Sequence, residues 1–118
     1  MYKLALIVDD DPDLCTLFKA MLQRYIPDVR FVYDITSCKR VLGEIKPEVV
    51  FLDNNLPDGR GVTFIKELKL LLPEARIVII SAMCTLKNEA IENGADMFIE
   101  KPLTEASVQE ALGLRSEI

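Results

Sequence analysis

The sequence predicts an α/β fold: a flavodoxin-like (βα)5, doubly wound parallel five-stranded sheet with strand order 2-1-3-4-5. Three observations predict it. Short β-branched apolar runs alternate with segments of helical period along the whole chain. Several of those runs are almost continuously apolar, as parallel strands covered on both faces must be. The connections are short, with no linker and no low-complexity tract, so each helix returns beside its own strand. Right-handed crossovers then favour the stated order.

Taken in order, Leu4–Val8 reads as the first strand. Asp11 followed by Pro12 supplies a capping residue and a proline at the first helical position. Leu14, Leu17, Phe18, Met21, Leu22 and Tyr25 then make one apolar stripe, and Pro27 ends that helix. Val29–Tyr33 is the second strand. Cys38, Val41, Leu42 and Ile45 mark the second helix before Pro47, and Val49–Leu52 is the third strand. Phe64, Ile65, Leu68, Leu71 and Leu72 mark the third helix, which stops before Pro73. Ile77–Ile80 is the fourth strand, followed by a shorter helix over Thr85–Asn93 that Gly94 closes. Met97–Ile99 is the fifth strand. The last helix covers Thr104–Leu114, with Val108, Ala111 and Leu112 facing inward.

Composition narrows the function classes. A length of 118 residues suits one domain over 1–118. Half the chain is hydrophobic and 28% is charged, a globular balance. No apolar run approaches the roughly 20 residues of a membrane span. The N-terminal Met1-Tyr2-Lys3 leads into an apolar stretch without a signal-peptide pattern, so a cytoplasmic location is expected. A net charge of −5 without any Lys/Arg cluster argues against direct nucleic-acid binding, and nothing marks a membrane surface. Cys15, Cys38 and Cys84 lie outside any C-x-x-C pattern and read as partly buried free thiols. There is no histidine, which excludes Ser-His-Asp or Cys-His catalysis and any histidine metal site within the chain. Carboxylates, hydroxyls and lysines remain.

In doubly wound sheets, ligands bind outside the carboxyl ends of the strands, near the point where strand order reverses. There the sequence places Asp9-Asp10-Asp11, then Asp53, then Ser81-Ala82, then Lys101-Pro102. Each has a plainer reading. An acid at a helix start gains about 0.3–1 kcal/mol, and Asp11 serves that purpose. Ser81 alone would be the polar end of a strand, and Lys101 alone an exposed loop residue. Asp53 is harder to dismiss, because "FLDNNLPDG" continues into a loop and gives it no helix to cap. Four strand ends supplying complementary chemistry outweigh the plainer readings. Asp9, Asp10 and Asp53 together would repel, by roughly 1 kcal/mol per pair at about 4 Å in water and several times that when partly buried. A hard divalent cation resolves this, and Mg²⁺ suits a site of few carboxylates. Asp is also a competent nucleophile toward phosphorus.

These residues resemble the receiver domain of two-component response regulators. The resemblance runs from "LALIVDDDPDL" through "VVFLDNNLPDGRG" and "IVIISA" to "GADMFIEKP", the whole chain. It implies that Asp53 is the phosphoacceptor. It implies that Asp10 binds Mg²⁺ directly, that Asp9 acts through water, and that Asn55 completes the metal site with its backbone carbonyl. Ser81, with the Ala82 amide beside it, would take a phosphoryl oxygen. Lys101 would pair with the phosphoryl group and precede a cis bond to Pro102. Phe98 would be the aromatic switch partner of Ser81. The stretch from Ser81 to Gly94 is slightly shorter than in many receivers, which predicts a short or displaced fourth helix. Met83 and Asn55 occupy positions that, in the family, tune dephosphorylation.

The resemblance further implies a sensor histidine kinase or histidine phosphotransfer protein as donor. It implies a downstream effector domain or protein as output, and it leaves room for a phosphorylation-dependent homodimer. The domain would catalyse its own aspartyl phosphorylation and dephosphorylation rather than act as a turnover enzyme. Two other readings compete. A phosphorylation-independent interaction module would have lost part of the acidic set. A phosphatase of the haloacid-dehalogenase kind would carry D-x-D after its first strand in a longer chain with a cap.

Overall fold

A computed structural model describes residues 2–114. Five parallel strands form the main sheet: β1 (Leu4–Val8), β2 (Asp28–Val32), β3 (Val49–Asp53), β4 (Arg76–Ser81) and β5 (Met97–Glu100). Their order is β2-β1-β3-β4-β5, the predicted flavodoxin-like order. The helices are α1 (Pro12–Leu22), α2 (Ile35–Val41), α3 (Gly61–Leu71), α4 (Lys87–Glu92) and α5 (Glu105–Ala111). Between β3 and α3 the chain makes a small antiparallel hairpin, Asn55–Leu56 with Gly59–Arg60.

Strand alternation sorts the core into two layers. Leu6, Val8, Val50, Leu52, Ile77 and Ile79 face one layer, which α2, α3 and α4 cover. Ala5, Ile7, Val49, Phe51, Val78 and Ile80 face the other, closed by α1 and α5. There Phe18 meets Phe51 edge-on with ring centroids 4.8 Å apart, worth about 0.5–1.5 kcal/mol beyond the area buried. The strand ends therefore sit on rigid ground.

Several sequence expectations are corrected in detail. The inward face of α1 centres on Cys15, Phe18 and Leu22, and this turns Leu17 outward, 59% exposed. Leu71 is likewise exposed while Leu72 is buried. Ile45 falls beyond α2, which ends at Val41, and α5 stops at Ala111 rather than Leu114. Of the three thiols, Cys15 and Cys38 are fully buried and Cys84 is exposed. The fourth helix is short, as expected: Cys84–Leu86 is a 3-10 turn, so α-helical bonding starts only at Lys87. Gly94, at φ +110°, takes the left-handed conformation that ends it.

Candidate functional site

Asp9 follows β1 directly and is 2% exposed. The turn of backbone that starts α1 holds it. The Asp11 N–H donates to Asp9 Oδ1 at 3.0 Å, and the Asp9 N–H donates to the Val32 carbonyl at 3.1 Å. Asp11 then caps α1, accepting from the Asp13 and Leu14 amides, with Pro12 at the first position, as its sequence predicts. Asp10 is left exposed at the mouth. Asp53 is the last residue of β3 and is 4% exposed. One carboxylate oxygen from each of Asp9, Asp10 and Asp53 lies within 4.8 Å of the others. An all-oxygen, multiply anionic donor set of this spacing fits a hard divalent cation such as Mg²⁺ and is a poor site for softer metals.

Lys101 closes the cluster from the other side. Its backbone N–H donates to the Ser81 carbonyl at 2.9 Å, so β4 fixes the start of the loop after β5. Its ammonium lies 3.1 Å from Asp53 Oδ1 and 3.3 Å from Asp9 Oδ2. Burial would lower the Lys101 pKa, but the hydrogen bond and charge of Asp53, and then Asp9, outweigh burial and raise it. Burial first, and the Asp9 charge second, raise the Asp53 pKa despite Lys101. Cys15 sits beneath, donating its thiol to the Asp9 carbonyl at 3.3 Å. Burial, and then the charges of Asp9, Asp11, Asp10 and Asp53, push that thiol up to about 12, so it is no nucleophile.

The remaining predicted residues lie around this cluster. Ser81 ends β4, 1% exposed, and its hydroxyl accepts the Met83 N–H at 3.0 Å. Ala82 is exposed, and with Lys101 it lines a groove beside Leu14, Leu17 and Met21, so the site opens next to an apolar strip of α1. Phe98, on β5, is half-buried and packs against the core beneath α2, α3 and α4. Asn55 is exposed in the hairpin, paired with Arg60. The Lys101–Pro102 peptide is cis.

Three supporting residues escaped the sequence reading. Asn54 is buried. Its carbonyl accepts the Gly61 N–H at 2.8 Å, and its side-chain oxygen accepts the Val62 N–H at 3.2 Å. It thereby caps α3 from across the hairpin, because the donor-only guanidinium of Arg60 at the cap position cannot accept an amide. Gly61 passes so close to Asp53 that a Cβ would sit 2.2 Å from the Asp53 carbonyl oxygen. Asp58, at the hairpin tip, accepts from Ile35 N, Thr36 N and Thr36 Oγ1 at 2.9, 2.8 and 2.7 Å. A helix start lacking its own capping side chain was the readable sign for Asn54.

The fold is a doubly wound sheet with a buried aspartate at its switch point, flanked by two acids and a lysine, the arrangement of a receiver-type signalling domain. The match to known proteins is specific: the profile of the response regulator receiver domain covers residues 5–113, and the chain belongs to that family. It is 36% identical to the uncharacterized transcriptional regulatory protein YvcP of Bacillus subtilis over 104 residues, 86% of this chain and 43% of that one. It therefore spans less than half of that longer relative. It is 33% identical to the chemotaxis protein CheY of Thermotoga maritima over 117 residues, 95% of this chain and 96% of CheY. A response regulator of Burkholderia pseudomallei, crystallised with a phosphorylated aspartic acid, a calcium ion and citrate, superposes with a TM-score of 0.83. Identity to it is 27%, with 93% of this chain and 66% of that one covered. Among the described residues, no helix is long and apolar enough to cross a membrane.

Proposed function

We propose that this chain accepts a phosphoryl group on Asp53 from a phosphohistidine of a sensor histidine kinase or histidine phosphotransfer protein. The new charge then switches a surface read by a downstream effector domain or protein. An Asp53 carboxylate oxygen attacks phosphorus in line. The O–P bond forms as the P–N bond breaks, its electron pair returning to the donor imidazole, which takes up a proton. Lys101 holds its ammonium against Asp53 Oδ1 and meets the transferred oxygens as their charge develops. Mg²⁺, held by Asp9 through water, by Asp10, by Asp53 and by the Asn55 carbonyl, would supply the balancing positive charge.

The product carries a charge of about −2 where the carboxylate carried one negative charge, so the sheet edge gains about one more, and with it three phosphoryl oxygens. The Ser81 hydroxyl, now turned to its own Met83 amide, would leave it for a phosphoryl oxygen, beside the Ala82 amide. Phe98 would then rotate inward, biasing the surface around α4, β5 and α5. The domain over 1–118 would thus promote its own phosphorylation and hydrolysis without being a conventional turnover enzyme.

The observation that carries the reading is the buried Asp53 carboxylate lying 3.1 Å from Lys101 Nζ, with Asp9 and Asp10 in reach of one shared cation. The phosphorylated aspartate and calcium ion of the Burkholderia neighbour support it. Incubation with acetyl phosphate and MgCl₂, followed by intact mass, tests it. A single phosphoryl adduct should form, and it should vanish in EDTA and in Asp53→Asn. No adduct on the wild type, or an undiminished one in Asp53→Asn, would sink the proposal.

A further inference from the structure

The hairpin between β3 and α3 has little to hold it. It has one two-residue ladder, and Asn55, Pro57, Asp58, Gly59 and Arg60 are exposed. Two-stranded pieces of this size are marginal in water without outside support. The inner end of the connection is fixed by Asn54, which holds the Gly61 and Val62 amides. At the outer end, Arg60 pairs with Glu89 of α4 at 3.2 Å, both side chains about half exposed, a bond of small worth. The strongest directional support is Asp58. Both of its carboxylate oxygens are spent on the first turn of α2, accepting the Ile35 and Thr36 amides and the Thr36 hydroxyl. Gly59 lies directly on Ile35, where a Cβ would come within 2.9 Å of its Cδ1.

Helix capping alone does not account for this. Asp34 already caps α2, accepting the Ser37 amide at 2.7 Å. Asp58 instead takes the two amides that Asp34 leaves, and it does so from 22 residues away. The bond therefore restrains the hairpin as much as the helix.

We propose that Asp58 is a positioning residue, fastening the hairpin to α2 so that the metal-binding end of β3 is held ready for a divalent cation. This rests on the reading above, in which Asn55 offers its carbonyl and Asp53 its carboxylate. Coupling of this kind is reciprocal: a bond that favours cation binding is itself strengthened when the cation binds.

The experiment titrates MgCl₂ into metal-free protein and follows amide shifts by NMR, with a urea midpoint for each variant. Asp58→Ala should weaken Mg²⁺ binding by about three- to tenfold, less than the roughly 10- to 100-fold seen when a direct partner of a metal ligand is lost, because Asp58 acts through the hairpin backbone. Thr36→Val should weaken it less, and Thr36→Ser should behave as wild type. Asp34→Ala removes the local cap of the same helix. It should lower the urea midpoint comparably and leave Mg²⁺ affinity within about twofold of wild type, because it leaves the hairpin's tie intact. With acetyl phosphate, the Asp58→Ala defect should appear at low Mg²⁺ and disappear at saturation. In the wild type, Mg²⁺ should slow hydrogen exchange of the Ile35 and Thr36 amides.

Wild-type Mg²⁺ affinity in Asp58→Ala, or an equal loss in Asp34→Ala, overturns the inference and leaves the phosphoacceptor reading standing. A wild type that neither binds Mg²⁺ nor forms the adduct overturns both.

Discussion

Lys101 Nζ stands 3.1 Å from Asp53 Oδ1 while remaining 27% exposed, whereas the Asp53 side chain is 5% exposed. The pair is thus lopsided: the acid is committed to the interior and the base can still reach water. Removing the ammonium leaves Asp9 and Asp53 facing each other with no counter-charge, and a divalent cation is the other group able to supply one. Lys101→Met should therefore cost on the order of 1–2 kcal/mol in EDTA, less than a fully buried pair because Lys101 is partly solvated. Saturating Mg²⁺ should recover much of that loss. Thermal melts with and without Mg²⁺ measure both numbers, and equal losses in the two conditions would contradict the shared role. Acetyl phosphate labelling should slow by about a hundredfold, as when one preorganised donor is lost from a transition state.

The opposite change should stabilise the metal-free protein. The Asp53 pKa is raised, chiefly by burial and then by Asp9, so its ionised form opposes folding at neutral pH. For an acid with a raised folded pKa, stability improves as pH falls through that pKa, because the costly charge is removed. Asp53→Asn removes it at every pH. In EDTA at pH 7 its urea midpoint should exceed that of wild type, and the gap should close as pH falls toward the ordinary carboxylate range. A lower midpoint at pH 7 would mean that the bond to Lys101 outweighs burial and repulsion.

The sequence made Asp53 legible because an apolar run ended in an acid with no helix to cap. Lys101 became legible only through topology, since strand order alone brings residue 101 beside residues 9 and 53. The same logic could not show that Leu17 is exposed. Helical spacing marks a face, but Cys15 pulled the centre of that face away from it. Asn54 left only an indirect sign, a helix start without its own capping side chain, and Asp58 left none: their bonds to Val62 and Thr36 join residues 8 and 22 positions apart through turns that no periodicity describes. Contacts of that kind follow from the finished packing.

Gly61 tests how tightly the site is built. An added Cβ would meet the Asp53 carbonyl oxygen at 2.2 Å and the Asp53 carbonyl carbon at 3.0 Å, both backbone atoms that cannot swing aside. Gly61→Ala must therefore push α3 from β3 or tilt Asp53. The loss should be on the order of 3 kcal/mol in urea unfolding, at the upper end for overpacking. Phosphorylation of whatever fraction stays folded should be slower than that of wild type. A variant with unchanged midpoint and labelling would show that the close approach is not enforced.

Acid should reveal the Asp58 tie separately from the acidic cluster. The hydroxyl of Thr36, and then the Ile35 and Thr36 amides, lower the Asp58 pKa to about 2 from an ordinary 3.8. A depressed folded pKa contributes stability that is complete above the unfolded value and is lost as pH falls through the folded one. The window is therefore about pH 4 down to about pH 2. Between pH 7 and pH 4, wild type should exceed Asp58→Ala in urea midpoint by a constant margin. Below that the two curves should converge as the carboxylate protonates and releases the start of α2. Asp53→Asn should show no such convergence in this window, since its acid is displaced in the opposite direction. A margin between wild type and Asp58→Ala that survives unchanged to pH 2 would mean that Asp58 acts through its shape rather than its charge.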